Sequence, residues 1–284
     1  MDERRIAVIT GSTGGIGGAI ADQLAASGWH LVLVNRNDTK AQAQKVDLQA
    51  NHPSIEVDTV TADLMDVEQI EAATQTIAGM HPKVDVLFNN SGVLTSERVK
   101  SVQGHESNYA VNTLAAYVMT QGLRPALQSH DDGSTSMIVN TTSSAHNAAK
   151  SLDTATLSDP KDIGGLTGAY ATTKLALTTM GTAMASELEA DGIIIRSVCP
   201  GAVVTPMTKT SNAMPGILKL LVPLLFKSPD KQAAKMIRAA QTDSYGGQTG
   251  IYITNGKEKP LPRLAQDASA QAKLMAKLSG DAGF

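Results

Sequence analysis

Two residues with chemical potential stand four apart in Tyr170-Ala171-Thr172-Thr173-Lys174. On a helix that spacing puts both side chains on one face. A free phenol titrates near pH ~10 and is a poor acid–base catalyst at neutral pH. An ammonium beside it favours the phenolate and draws its pKa toward the working range. The pair gains weight from its company. Near the amino terminus, Thr10-Gly11-Ser12-Thr13-Gly14-Gly15-Ile16-Gly17 follows the β-branched run Ile6-Ala7-Val8-Ile9. Gly11 permits a tight turn, while Gly15 and Gly17, lacking Cβ, let backbone approach a pyrophosphate and let a helix pack close to a sheet. The helix amino terminus then offers free N–H groups to the phosphates. The expected cofactor contacts here are Gly11, Ser12, Thr13, Gly15, Ile16 and Gly17.

The end of the second strand of such a site selects the ribose. A carboxylate there bonds the 2′-hydroxyl of NAD, whereas Arg accommodates the 2′-phosphate of NADP. This chain has Asn35-Arg36, with no carboxylate until Asp38. Charge-assisted bonds from Arg36 to a 2′-phosphate favour NADP (NADPH) over NAD.

Those residues need a scaffold. Short β-branched runs at residues 6–9, 31–34, 55–60, 84–88, 137–140 and 193–198 are separated by helix-length intervals. Strands apolar on both faces, joined by helices, predict a parallel sheet covered on both sides. The fold class is therefore α/β, a Rossmann-type doubly wound sheet in a single domain spanning 1–284. Beyond Pro200-Gly201 the pattern loosens into a Met-, Leu- and Pro-rich stretch at 205–228. A helix at 229–241, a strand at 251–253 and a helical tail at about 264–280 follow.

Composition narrows the class. The 284 residues are 42% hydrophobic and carry a net charge of −3 without a basic block, which disfavours a nucleic-acid partner. A single Cys excludes an intramolecular disulfide, and no Cys/His spacing indicates a metal site. The run at 6–9 is too short for a signal sequence, and residues 214–226 are broken by Lys219 and two prolines, so no membrane span is expected. The expectation is a cytoplasmic enzyme, with homo-oligomer formation left open.

With these motifs in order, the chain resembles the short-chain dehydrogenase/reductase family. Thr10-Gly11-x-x-x-Gly15-Ile16-Gly17 matches the family's cofactor motif, and Asp63-Leu64 matches its pair near the adenine ring. Asn89-Asn90-Ser91-Gly92 matches Asn-Asn-Ala-Gly apart from Ser91, adding Asn90 and Gly92 to the cofactor set. Pro200-Gly201-Ala202-Val203-Val204-Thr205 matches the Pro-Gly motif, whose Val203 and Thr205 would hold the nicotinamide. The resemblance implies catalysis by Asn112, Ser143, Tyr170 and Lys174. Asn140-Thr141-Thr142-Ser143-Ser144 offers two serines, and ungapped alignment on Asn140 selects Ser143 over Ser144. Asp63 serves equally as a cap for a helix near Asp66. Cys199 reads as a packed core thiol.

Ser143 and Tyr170 are 27 residues apart, and Ala145-His146, Asn35-Arg36 and Lys227-Ser228-Pro229 are further similar to the branch holding retinol dehydrogenases and protochlorophyllide reductases. The implied activity interconverts an alcohol and a ketone or aldehyde, a small-molecule substrate of apolar character. Pro215-Gly216 and Pro223 suit a hinged apolar lid at 205–228. The alternatives are a reductase of a C=C or C=N bond and a non-catalytic NADP-binding sensor.

Arg36→Ala is expected to weaken NADPH binding about 10- to 100-fold, the loss of a charge-assisted bond, and to spare NADH. Equal loss with both cofactors in fluorescence titrations would remove Arg36 as the phosphate reader.

Overall fold

The computed structural model describes residues 5–95, 97–128, 133–201 and 228–284. The expected lid, together with Val203 and Thr205, lies outside the described residues. Strands β1 (Ile6–Thr10), β2 (His30–Asn35), β3 (Val57–Thr61), β4 (Val86–Asn89), β5 (Ser136–Thr141), β6 (Ile193–Cys199), β7 (Ile251–Thr254) and β8 (Lys257–Lys259) form one sheet. Its order is β3-β2-β1-β4-β5-β6-β7-β8. The first seven run parallel, and only β8 is antiparallel to its neighbour.

Every residue of β4, β5 and β6 is buried, which demands cover on both faces. On one face α1 (Gly15–Ala26), α2 (Asp38–Asn51) and α7 (Pro229–Ala239) bury Ile20, Leu24, Leu48 and Met236 against Ile9, Phe88 and Val139. On the other, α3 (Val67–Met80), α5 (Ala115–Leu127) and α6 (Ala169–Ala190) bury Ile70, Ile77, Leu123 and Met180 against Val8, Leu87 and Ile138. The closing helix α8 (Ala268–Ala282) adds Leu274 and Leu278 to that second core. The short helix α4 (Ser107–Tyr109) leads through a π-helical turn at Ala110–Leu114 into α5.

Helix starts obey local chemistry. Asn37 accepts the Lys40 N–H at 2.9 Å, Asp66 accepts that of Glu68 at 3.2 Å, and Asp267 that of Ala270 at 2.9 Å. Because α3 is capped by Asp66, Asp63 is not its cap. Strand order reverses between β1 and β4, so a crevice opens outside their carboxyl ends, where ligands of such sheets bind.

Two elements depart from the sequence expectation. Strand β8 was absent from it because Lys257-Glu258-Lys259 is wholly exposed and carries no apolar alternation. Its signal is the turn Asn255-Gly256, whose φ values of 52° and 73° suit a tight hairpin. The tail helix starts at Ala268, since Arg263–Gln266 forms a separate 3₁₀ turn.

Arg196, in the middle of β6, is fully buried. Its guanidinium donates to the carbonyls of Ala239 (3.0 Å), Gln241 (2.8 Å), Thr242 (3.2 Å) and Gln248 (3.0 Å). These include carbonyls at and just beyond the end of α7, where helices leave acceptors unsatisfied and where positive charge is favourable. Arg196→Met fills similar length yet orphans all four acceptors. It is expected to lower stability by at least ~3 kcal/mol in urea unfolding, whereas a loss under ~1 kcal/mol would show that water replaces the guanidinium.

Candidate active site

The glycine turn crosses the carboxyl end of β1. Gly11 adopts φ +68° and Gly15 +60°, both in the left-handed region. A Cβ on Gly17 would collide with the Gly11 carbonyl oxygen and lie 2.5 Å from Asn90 Nδ2, so only glycine fits. Gly14 caps α1 without a side-chain bond, leaving the first N–H groups of the helix free for an anion. The loop is fastened from β4: Thr10 Oγ1 accepts the N–H groups of Asn90 and Ser91, both at 3.0 Å. Asn90 Nδ2 donates back to the carbonyls of Thr10 (3.0 Å) and Gly11 (3.3 Å).

Asn35 is buried and turned inward. Its Nδ2 donates to Ser12 Oγ at 2.8 Å, and its Oδ1 accepts the Thr13 N–H at 3.3 Å. Ser12 is also buried, donating its hydroxyl to Gln44 at 2.8 Å. The side chains of Asn35, Ser12 and Asn90 thus shape the cradle. Thr10 opens the glycine motif in the sequence, whereas Gln44 was missed by sequence reasoning, since nothing in the local pattern links it to the loop. Arg36 stands exposed just past β2, and the neighbouring Asp38 carboxylate accepts from Thr61 at 3.1 Å and Gln42 at 3.3 Å. Asp63 closes a local turn by accepting the Met65 N–H at 3.0 Å. Leu64 and Ile16 are half-buried at the rim, and Pro200 and Gly201 follow β6, with Gly201 at φ +90°.

The catalytic candidates converge at the carboxyl ends of β4 and β5. Tyr170 and Lys174 occupy the first turns of α6, and Ser143 lies two residues past β5. The side chain of Ser143 hydrogen-bonds the Tyr170 phenol. Ser144 instead is exposed and points its backbone N–H at Cys199 Sγ, 3.2 Å away. Geometry therefore pairs Tyr170 with Ser143 rather than Ser144. Lys174 is buried, and Nζ donates to the Thr141 carbonyl at 2.8 Å. A Cβ on Gly92 would lie 3.3 Å from that Nζ and 3.1 Å from Asn112 Oδ1, so the glycine leaves room for the lysine head. Asn112 sits in the π-helical turn, its Oδ1 accepting the Val93 N–H at 2.7 Å and its Nδ2 donating to the Val93 carbonyl at 3.0 Å.

The electrostatics correct one expectation. Burial raises the Tyr170 pKa above its usual value, opposed by the hydrogen bond from Ser143. Lys174 is itself pushed down to about 8 by burial. The expected downward pull of the ammonium is not among the influences on the phenol, and desolvation disfavours both charges.

Comparison with known proteins settles the family. The short chain dehydrogenase family profile matches residues 5–155 and 161–216. The chain belongs to this family. It is an oxidoreductase scaffold in which the glycine turn and the Tyr170–Lys174 pair fall within the matched span. The chain is 30% identical over 281 residues to polyprenol dehydrogenase of Homo sapiens, covering 96% of this chain and 83% of the relative. It is 25% identical to retinol dehydrogenase 12 of Mus musculus, covering 95% and 84%. These relatives agree with the retinol dehydrogenase-like branch. Among solved structures, a blue fluorescent protein from a metagenomic library in complex with NADPH superposes with TM-score 0.70 at 23% identity, covering 88% and 96%. A 3-ketoacyl-(acyl-carrier-protein) reductase from Brucella melitensis complexed with NADH gives 0.67 at 24%, covering 89% and 97%. Both share the fold. No helix among the described residues is long and apolar enough to cross a membrane, and they contain no cluster able to hold a metal.

His146 follows Ser143 within the same short turn and is buried, its Nδ1 3.2 Å from Thr178 Oγ1. Burial pushes its pKa down to about 4 from 6.5. The unfolded chain thus binds a proton that the native state refuses, so this residue's contribution to stability is complete above pH 6.5 and declines as pH falls toward 4. His146→Phe should flatten the fall in denaturant stability between pH 7 and 4.5 relative to wild type. An unchanged slope would show that His146 does not titrate on unfolding.

Proposed function

We propose that this enzyme interconverts an alcohol and a ketone or aldehyde with NADP(H), on apolar substrates. The observation that carries the reading is the Tyr170 phenol hydrogen-bonded to Ser143, with Lys174 one helical turn away, beside a glycine cradle. In reduction Tyr170 gives its proton to the oxygen that becomes the alcohol, and Ser143 holds that oxygen. The cradle from Gly11 to Gly17 fits a pyrophosphate because a Cβ at Gly17 would fill it. The bound nicotinamide supplies the hydride. Arg36 would hold the 2′-phosphate, Asp63 and Leu64 the adenine, and Gly92, Pro200 and Gly201 the nicotinamide end, a set to which the family resemblance adds Val203 and Thr205. Lys174 would bond the nicotinamide ribose, and Asn112 would anchor a water between Lys174 and solvent.

Substrate class follows from two supports. The stretch 205–228 is rich in Met and Leu. The relatives named for polyprenol and retinol act on long apolar alcohols. A cytoplasmic location belongs to the same reading.

Tyr170→Phe should leave NADPH affinity nearly intact and lower turnover by about 10² to 10⁴, the range for losing a general acid. The assay follows NADPH oxidation with farnesal, and the product is identified. Wild-type turnover in the variant would remove Tyr170 from the acid role, and a saturated aldehyde as product would indicate C=C reduction instead.

A further inference from the structure

Ser143 must aim its hydroxyl at Tyr170 from the second of two residues between the end of β5 and a 3₁₀ turn at Ser144–Ala148, while its Oγ also accepts the Ala145 N–H at 3.2 Å. Bonds to α6 hold that turn, among them His146 Nδ1 to Thr178 Oγ1 at 3.2 Å, and a further support arrives from β7, a strand that no sequence motif marks. Tyr252 of β7 is buried, and its ring stacks against His146 with centroids 4.6 Å apart and planes tilted by 53°. Its hydroxyl hydrogen-bonds the side chains of Cys199 and Thr254. Cys199 Sγ in turn accepts the Ser144 N–H at 3.2 Å. One side chain thus reaches the middle and the start of the turn: residue 146 through its ring and residue 144 through one sulfur.

We propose that Tyr252 is a positioning residue of the active site, acting through Cys199 and His146 to hold the serine turn so that Ser143 meets Tyr170. The inference rests on the catalytic reading of Ser143 and Tyr170 and adds the group that sets their contact. Packing alone would be served by phenylalanine. The buried hydroxyl is useful only if its hydrogen bonds are, because burying an idle one is costly. Burial also drives the Tyr252 pKa upward, so the hydroxyl stays protonated across the working pH range. The Ser144 N–H has Cys199 as its acceptor, and an unpaired N–H there would let the turn shift.

The test uses the full chain with NADPH and farnesal, comparing Tyr252→Phe, Cys199→Ala and Cys199→Ser. Tyr252→Phe keeps the stack on His146 and loses the bond to sulfur. Cys199→Ala loses the acceptor, and Cys199→Ser restores a shorter one. A misplacement near 1 Å costs up to about 10²-fold in rate, so kcat should fall about 10-fold in Tyr252→Phe and 10- to 100-fold in Cys199→Ala. KM for NADPH should stay within about twofold, and Cys199→Ser should recover much of kcat. Because the Ser143 bond lowers the Tyr170 pKa, losing it should move the alkaline fall of reductive kcat/KM to higher pH. A merely structural role would lower the melting temperature and leave that limb in place, which would overturn the proposal. So would wild-type kcat and pH profile in folded Tyr252→Phe. That variant decides the matter even if Cys199→Ala fails to fold. No turnover by the wild type, despite NADPH binding, would overturn the catalytic reading itself before any variant is compared.

Discussion

The site depends on one seam, the hydrogen bonds that join the carboxyl end of β1 to that of β4. Thr10 Oγ1 accepts two N–H groups from the chain leaving β4, and the Asn90 amide answers with bonds to two carbonyls of the chain leaving β1. Parallel strands diverge at their ends, and the crevice there would otherwise be filled by water. With the seam closed, the glycine loop and the segment carrying Gly92 become one rigid edge. Gly92 then leaves the space that Lys174 occupies, and Lys174 bonds the end of β5. Distant parts of the sequence are thereby referred to a common origin.

Behind this edge lies a polar layer inside the core. Asn89 Nδ2 donates to Asn140 Oδ1 at 2.9 Å across neighbouring strands, and to Thr120 Oγ1 at 3.2 Å on α5. Thr142 Oγ1 bonds Thr178 at 2.8 Å and the Lys174 carbonyl at 3.1 Å, tying β5 to α6. Apolar contacts of the same size would bury as much area, yet they are non-directional. Hydrogen bonds fix register and rotation, and a site that must align two reacting atoms needs both.

Burial also sets the charge balance. Tyr170 and Lys174 are each shifted toward their neutral forms by desolvation, so the free enzyme holds a protonated phenol beside a lysine that titrates at about 8. That state suits proton donation to a carbonyl. The opposite direction requires the phenolate, which stands at a disadvantage in a dry environment and is helped by the bond from Ser143.

Much of this was legible in the chain. Apolar runs at helix-length intervals dictate a covered parallel sheet, because strands apolar on both faces have nowhere else to go. The glycine turn and the four-residue spacing of Tyr170 and Lys174 are local signals, readable because backbone conformation and helical periodicity are local physics. Even β8 had its mark in Asn255-Gly256, although its exposed lysines and glutamate hid it. What the sequence could not rank were choices made by residues far apart. Alignment on Asn140 did prefer Ser143 to Ser144, but the bond that ties the Ser144 N–H to Cys199 joins residues 55 apart in the chain. That Asn35 faces inward depends on Ser12 and Thr13 arriving beside it. The sign of the Tyr170 shift depends on how much water the assembled helices exclude, which the four-residue spacing does not encode. The sequence by itself determined the sheet, the glycine turn and the candidates for the reactive groups. Tertiary structure alone decided their partners and charge, because desolvation and long-range hydrogen bonds exist only once the chain has closed on itself.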